Sequence, residues 1–430
     1  MRKVLIATAG SYGDLHPYIA IAHALQERGA EPTIATSPYY KDKVEAHGIA
    51  FHPVRPDLSL DDGALIEALM DRMRGTERVI RMMNAWTRDA YTDLLPAALK
   101  TDMILTHPLT AAAVAIAQQH RIPWVSSVLA PMSFVSAYDP PVPAPLPWAI
   151  HLRRLGVPVM RAFWNTGKRM SLRWMKDVLE FRRELGLNGD NPLFEGQHSP
   201  SLVLALFSHL LAEPQPDWPW ATQVTGFPFF DAHHEHAGLP PEVERFLDAG
   251  PPPLVFTLGS SAVNAAGDFY GQSIAAARKL GLRALLLNGR NVSGELPPGM
   301  MAVPYARHSE VFPRAAAVIH QGGVGTTAQA MRAGRPMLVV PFSHDQPDNA
   351  HRMVRLGIAR SVPSGAYNAR RAAAALEPLL LDPAYAARAA AIGKQIEAEA
   401  GAANAATSLL RMESPHRRLM GVTAPPDLRH

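Results

Sequence analysis

The feature that most constrains this chain is a pattern that starts twice. At residue 4 a short apolar run (4–8) meets a turn, Gly10-Ser11-Tyr12-Gly13-Asp14, and then a helical period over 17–28 that stops at Gly29. At residue 254 the order restarts: Leu254-Val255-Phe256-Thr257-Leu258, then Gly259-Ser260-Ser261, then a helical stretch over 269–280. Further short runs (32–36, 103–106, 123–128; then 283–287, 316–320, 336–340) alternate with helical segments. Uninterrupted apolar strands alternating with helices imply parallel sheets covered on both faces. The fold class expected is therefore α/β, with two Rossmann-like, doubly wound parallel-sheet domains facing across a cleft.

A chain of 430 residues suits such a division. The boundaries expected are an N-terminal domain over 1–213, a proline-rich linker region over 214–252, a C-terminal domain over 253–413 and a polar tail over 414–430. The chain has no cysteine, which excludes disulfides and thiolate chemistry and fits a reducing compartment. Its net charge of +4 is small, and the basic residues are too dispersed for a nucleic-acid stripe. Met1-Arg2-Lys3 runs straight into the first strand, so a cytoplasmic location is expected. Basic and aromatic residues over 148–169 suit at most weak contact with a membrane surface. Oligomeric state is left open.

The densest chemistry is His320-Gln321-Gly322-Gly323-Val324-Gly325-Thr326, between a strand and a helix. Glycines there let backbone approach a ligand, and the helix start offers N–H groups and a positive dipole end. That is an anion site suited to a diphosphate, with His320 and Thr326 as further donors. The alternative is a tight turn with His320 as a satisfied core residue. The next strand leads to Asp345-Gln346, a carboxylate beside an amide, able to read sugar hydroxyls or merely to cap a helix. No convincing metal site is present; His233-His234-Glu235-His236 reads as a solvated cluster in the linker region.

Taken together, His320-x-Gly322-Gly323-x-Gly325-Thr326, Gly334-x-Pro336, Pro341 and Asp345-Gln346-x-x-Asn349-Ala350 resemble the nucleotide-sugar signature of family 1 glycosyltransferases, which have the GT-B fold. Gly13-Asp14-x-x-Pro17 and Leu258-Gly259-Ser260 also match. Similarity around Pro216-Asp217-Trp218-Pro219 and His344-Asp345-Gln346 points to a bacterial branch that includes rhamnolipid rhamnosyltransferases and glycosyltransferases of natural products. The resemblance implies a soluble, metal-independent, inverting enzyme. It would take a dTDP- or UDP-linked sugar as co-substrate, need no cofactor, and act on a hydroxyl of an apolar acceptor, a hydroxy-lipid or a phenolic aglycone. It also implies that Tyr305 stacks on the base and that His308 and Gln329 stand at the ribose. His320, Ser260 and Thr326 would hold phosphate oxygens, with Gly322, Gly323 and Gly325 shaping the turn. Asp345 and Gln346 would hold the sugar. Gln329 replaces a common ribose-gripping glutamate, which favours a thymidine donor.

Asp14 occupies the place where plant members carry the catalytic histidine, and His107 the place of its aspartate partner. The resemblance thus implies a reversed dyad, Asp14 with His107, in which Asp14 takes the acceptor's proton. His16 is the alternative base. Met70, Met73, Met82, Met83, Trp86, Met132, Phe134, Trp148, Phe163 and Trp164 are candidates for the acceptor wall. A non-catalytic nucleotide-sugar-binding module and a GT-B-fold epimerase are the rival readings.

Overall fold

The computed structural model describes residues 1–59, 62–187, 189, 191–230, 238–287 and 295–412, with backbone alone at 260, 261 and 264. Two all-parallel sheets organise it. The first runs β3-β2-β1-β4-β5-β6-β7, with β1 (Lys3–Ala7), β2 (Glu31–Thr36), β3 (Ala50–Pro53), β4 (Met103–Thr106), β5 (Trp124–Val128), β6 (Val203–Ala205) and β7 (Thr222–Val224). The second runs β10-β9-β8-β11-β12-β13, with β8 (Leu254–Thr257), β9 (Ala284–Leu287), β10 (Met300–Val303), β11 (Ala317–His320), β12 (Met337–Val339) and β13 (Ala359–Ser361). The central strands are buried throughout, which is why their sequences read as unbroken apolar runs rather than alternations.

In each sheet the strand order reverses beside the first strand of the pattern. β1 lies between β2 and β4, and β8 between β9 and β11. Ala7 pairs with Thr106 and Thr257 with His320, so the loops that follow open side by side at the carboxyl edge. Such a switch point is where open parallel sheets leave a crevice for ligands.

Local chemistry moves one boundary. The first helix runs Tyr12–Gln26 and begins five residues before the expected start. Ser11 is its N-cap and Asp14 completes a capping box, so the glycine turn is the first helical turn.

The stretch expected as a linker region contributes β7 to the first sheet and the helix Pro241–Asp248. The helix Gly401–Arg411, expected in the C-terminal domain, returns to the first lobe. There Ala405, Ala406 and Leu409 join the core built on β1 and the helix Tyr12–Gln26, and Arg2 donates to the Leu410 carbonyl at 2.9 Å. An apolar face on that last helix is buried only by crossing over. The cluster 233–236 and the expected tail lie outside the described residues.

A buried ion network also joins the lobes. Arg352 donates through Nε to Asp348 at 2.8 Å and through Nη1 to Asp139, while Arg355 reaches Asp139 at 2.7 Å. Asp348 in turn accepts the Val142 N–H at 3.1 Å, which clamps the proline loop of the first lobe onto the helix Gln346–Arg355.

Candidate active site

One cavity of about 750 Å³ lies between the two carboxyl edges. Its first-lobe floor is the switch point of the first sheet. Asp14 faces the cavity with 31% of its side chain open, and His107 stands behind it at 5%. His107 Nε2 is 3.4 Å from Asp14 Oδ1. The Leu109 N–H donates to His107 Nδ1 at 3.2 Å, so the ring proton sits on Nε2, the nitrogen nearest the carboxylate. The other carboxylate oxygen, Oδ2, accepts the Ser11 N–H at 2.7 Å and its hydroxyl at 3.1 Å.

These contacts set the acidity of Asp14. Burial pushes its pKa up, but the His107 ring beside it and both Ser11 donors more than offset this and hold the group below the usual carboxylate value. Asp14 is thus ionised at neutral pH, and it is helix cap and cavity carboxylate at once. Tyr18 packs edge-on against His107 at 6.0 Å and is itself bonded to Ser127 at 2.8 Å, which fixes the imidazole from behind. His16 does not reach the cavity wall; its ring lies against Phe230 at 5.0 Å, and burial lowers its pKa to about 3.

The second-lobe roof is the glycine turn and the start of the helix Val324–Arg332. Gly323, Gly325 and Thr326 line the cavity, and the first N–H groups of this helix lack partners within it. Gly259, at φ +60°, closes in from β8; a Cβ there would stand 2.4 Å from Gln321 Nε2. The side chain of Ser260 lies outside the described residues.

The role expected for His320 needs correction. The residue is fully buried, its Nδ1 accepts the Gly322 N–H at 3.1 Å, and its Nε2 lies 3.4 Å from Met337 Sδ. Burial lowers its pKa to about 3, so a neutral imidazole braces the turn rather than presenting a proton to the cavity. Gly322 likewise faces inward, where its carbonyl accepts from Asn349 at 2.9 Å. Gln321, passed over as a spacer, does line the cavity, and its buried Oε1 has no partner. No pattern in the sequence marked it.

Asp345 and Gln346 complete the roof. Asp345 accepts the Asn349 amide at 2.7 Å, yet burial and the nearby charge of Asp14 raise its pKa to about 7. Gln346 turns its Oε1 to the N–H groups of Phe342 and Ser343, which shapes the loop. The residues expected at the nucleoside are not on this cavity wall. Tyr305 is exposed just beyond β10, His308 stacks on Phe312 at 4.4 Å, and Gln329 accepts from Arg332 at 2.8 Å.

The rest of the cavity wall is mainly apolar. Met70, Met73, Met82, Met83, Met132, Phe163 and Trp164 line it as expected. Phe134 instead stacks on Trp218 at 4.2 Å in the core, while Trp86 and Trp148 face outward. Among the described residues no three His, Asp or Glu side chains converge as metal ligands, and no helix is long and apolar enough to cross a membrane.

Known proteins are similar to this chain in sequence and architecture. The family model described as "Glycosyltransferase family 28 N-terminal domain" matches residues 4–133, and "Erythromycin biosynthesis protein CIII-like, C-terminal domain" matches 284–412. The O-mycaminosyltylonolide 6-deoxyallosyltransferase of Streptomyces fradiae is 31% identical over 94% of this chain and 96% of its own length. The glycosyltransferase of kitacinnamycin superposes with a TM-score of 0.71 at 22% identity, over 95% of this chain and 98% of the other. The spinosyn rhamnosyltransferase SpnG complexed with thymidine diphosphate gives 0.63 at 20% identity, over 96% and 100%.

Proposed function

This chain belongs to the family 1 glycosyltransferases of GT-B fold, and we propose that it moves a hexose from a nucleotide diphosphate to a hydroxyl of an apolar small molecule. One observation carries the reading. Asp14, backed by His107, shares a single cavity with the glycine turn, Asp345 and an apolar methionine-rich wall.

The acceptor hydroxyl approaches Asp14, which takes its proton as the oxygen attacks the anomeric carbon. The bond to the diphosphate breaks on the opposite side, so the anomeric centre inverts. Negative charge grows on the leaving diphosphate, and the N–H groups at the start of the helix Val324–Arg332, with the Thr326 hydroxyl, stabilise it without need of a metal. The His107 proton holds the Asp14 carboxylate in line. The sugar hydroxyls meet Asp345, and the exposed Tyr305 ring offers a stacking face for the base.

A thymidine-linked deoxyhexose such as rhamnose is the favoured donor over UDP-glucose. Gln329, in place of a ribose-gripping acid, supports this, as do relatives that transfer 6-deoxyallose or rhamnose.

The test is a panel of dTDP- and UDP-sugars against phenolic and hydroxy-lipid acceptors, read by mass spectrometry, with Asp14→Asn alongside. Glycosylated product that the variant fails to make supports the reading. Donor binding by calorimetry without transfer or hydrolysis would instead identify a binding module, and isomerised donor an epimerase.

A further inference from the structure

The helix Val157–Ser171 forms one wall of the cavity. Its inner face, Met160, Phe163, Trp164, Gly167, Lys168 and Ser171, follows helical spacing and is buried or on the cavity wall. On the outer face Arg161 lies over the exposed Tyr138 ring at 6.0 Å, and Val159 stays open. Together with the flanking segment Pro147–Leu155 and Leu172 just past its end, the helix exposes Trp148, Leu155, Val159 and Leu172, with Trp148 at 56% and Leu155 at 64%.

The charge of this region is one-sided. Residues 140–176 hold seven of the chain's 42 lysines and arginines and none of its 38 acids, so the rest of the chain is slightly acidic. Arg153, Arg154, Arg169 and Arg173 form no salt bridge among the described residues. A nucleic acid would call on the cations and leave the exposed Trp148, Leu155 and Val159 unexplained. An anionic bilayer uses both: apolar side chains enter the headgroup boundary while guanidinium groups meet lipid phosphates.

We propose that this face docks the protein on an anionic membrane surface, with the acceptor cavity directly behind the docked helix. The idea rests on the proposed function only for its second half, that acceptors reach the cavity from the lipid phase. Surface docking stands or falls without any sugar transfer.

The test uses the full chain and sedimentation with vesicles of pure phosphatidylcholine or of phosphatidylcholine with 30–40% phosphatidylglycerol, roughly the anionic share that draws basic segments to a surface. Binding to the anionic vesicles alone, weakened by salt, is expected. Replacing Arg153, Arg154, Arg169 and Arg173 with serine should lower the partition coefficient roughly a hundredfold or more. Trp148→Ser with Leu155→Ser should lower it at least about tenfold through lost apolar burial. Arg360→Ser with Arg370→Ser, exposed on the other lobe, should leave it unchanged, and circular dichroism checks that each variant folds. No binding to anionic vesicles, equal loss in the Arg360/Arg370 control, or tight binding to a DNA oligonucleotide without vesicle binding would each overturn the proposal. Vesicle binding by a chain inactive on every acceptor would leave docking intact and defeat the transfer reading alone.

Discussion

The Asp14 carboxylate occupies the space that a side chain on Gly10 would need: a Cβ there would stand 2.3 Å from Asp14 Oδ2. Gly10 also has φ +129°, a conformation that a larger residue adopts only under strain. Gly10→Ala should therefore displace the carboxylate from His107. Turnover should fall at least about tenfold with donor affinity nearly unchanged, since a misplaced reacting group costs rate before binding. Stability should drop by about 1–3 kcal/mol from the strained backbone. Steady-state kinetics and thermal melts check both.

Asp14→Asn should lower kcat by roughly a hundredfold to ten-thousandfold, the usual worth of a positioned base. His107→Ala should act differently. Without the imidazole, burial of Asp14 loses its main opposition and the carboxyl pKa rises. The base is then protonated at higher pH, so the acid limb of kcat/KM should move upward from its position below the normal aspartate range. An unchanged limb in the variant would separate the two residues.

Asp345 stores instability. Its pKa of about 7 lies above that of the unfolded chain, so between about pH 4 and 7 the folded protein binds the extra proton. Stability therefore falls as pH rises through that window, and the loss is complete above pH 7. Asp345→Asn, which keeps an acceptor for Asn349, should gain about 1–3 kcal/mol at pH 8 and nothing near pH 4, the cavity water screening part of the effect. Its donor KM should rise. Melting curves at the two pH values test the sign.

Arg352 holds Asp139 and Asp348 across the lobe boundary with only 2% of its side chain exposed. Arg352→Met should cost about 3–5 kcal/mol near neutral pH, because it strands buried carboxylates. The two arginines outweigh burial and keep the Asp139 pKa low in the native protein. The stabilisation this represents is present above the ordinary aspartate pKa and disappears as pH falls through the depressed value. The variant's deficit should accordingly shrink in acid, as denaturant titrations at pH 7 and pH 3 would reveal.

Much of the architecture was legible in advance because its signals are local. Apolar runs that end in glycine mark buried parallel strands, and the run ending at His320 leads into the turn that lines the cavity. Asp14, Thr326, Asp345 and the methionine wall were readable for the same reason: each sits at a fixed offset from a strand end or a helix face. The role of His320 was not, since the same imidazole could face a ligand or brace a turn, and burial decided for the turn. Nor was the capping box at Ser11, where one carboxylate serves backbone and cavity together. Gln321 carried no signal at all, because its buried oxygen is unusual only once its surroundings exist.

By itself the sequence determined the two sheets, their order of assembly from repeated units and the residue types at each carboxyl edge, because period and turn chemistry act over a few residues. Tertiary structure alone decided which of those residues meet. The 3.4 Å approach of His107 to Asp14, the return of the last helix to the first lobe and the clamp at Arg352 join positions tens to hundreds of residues apart. Distance along a chain says nothing of distance in space until packing and burial choose among the contacts that local preference allows.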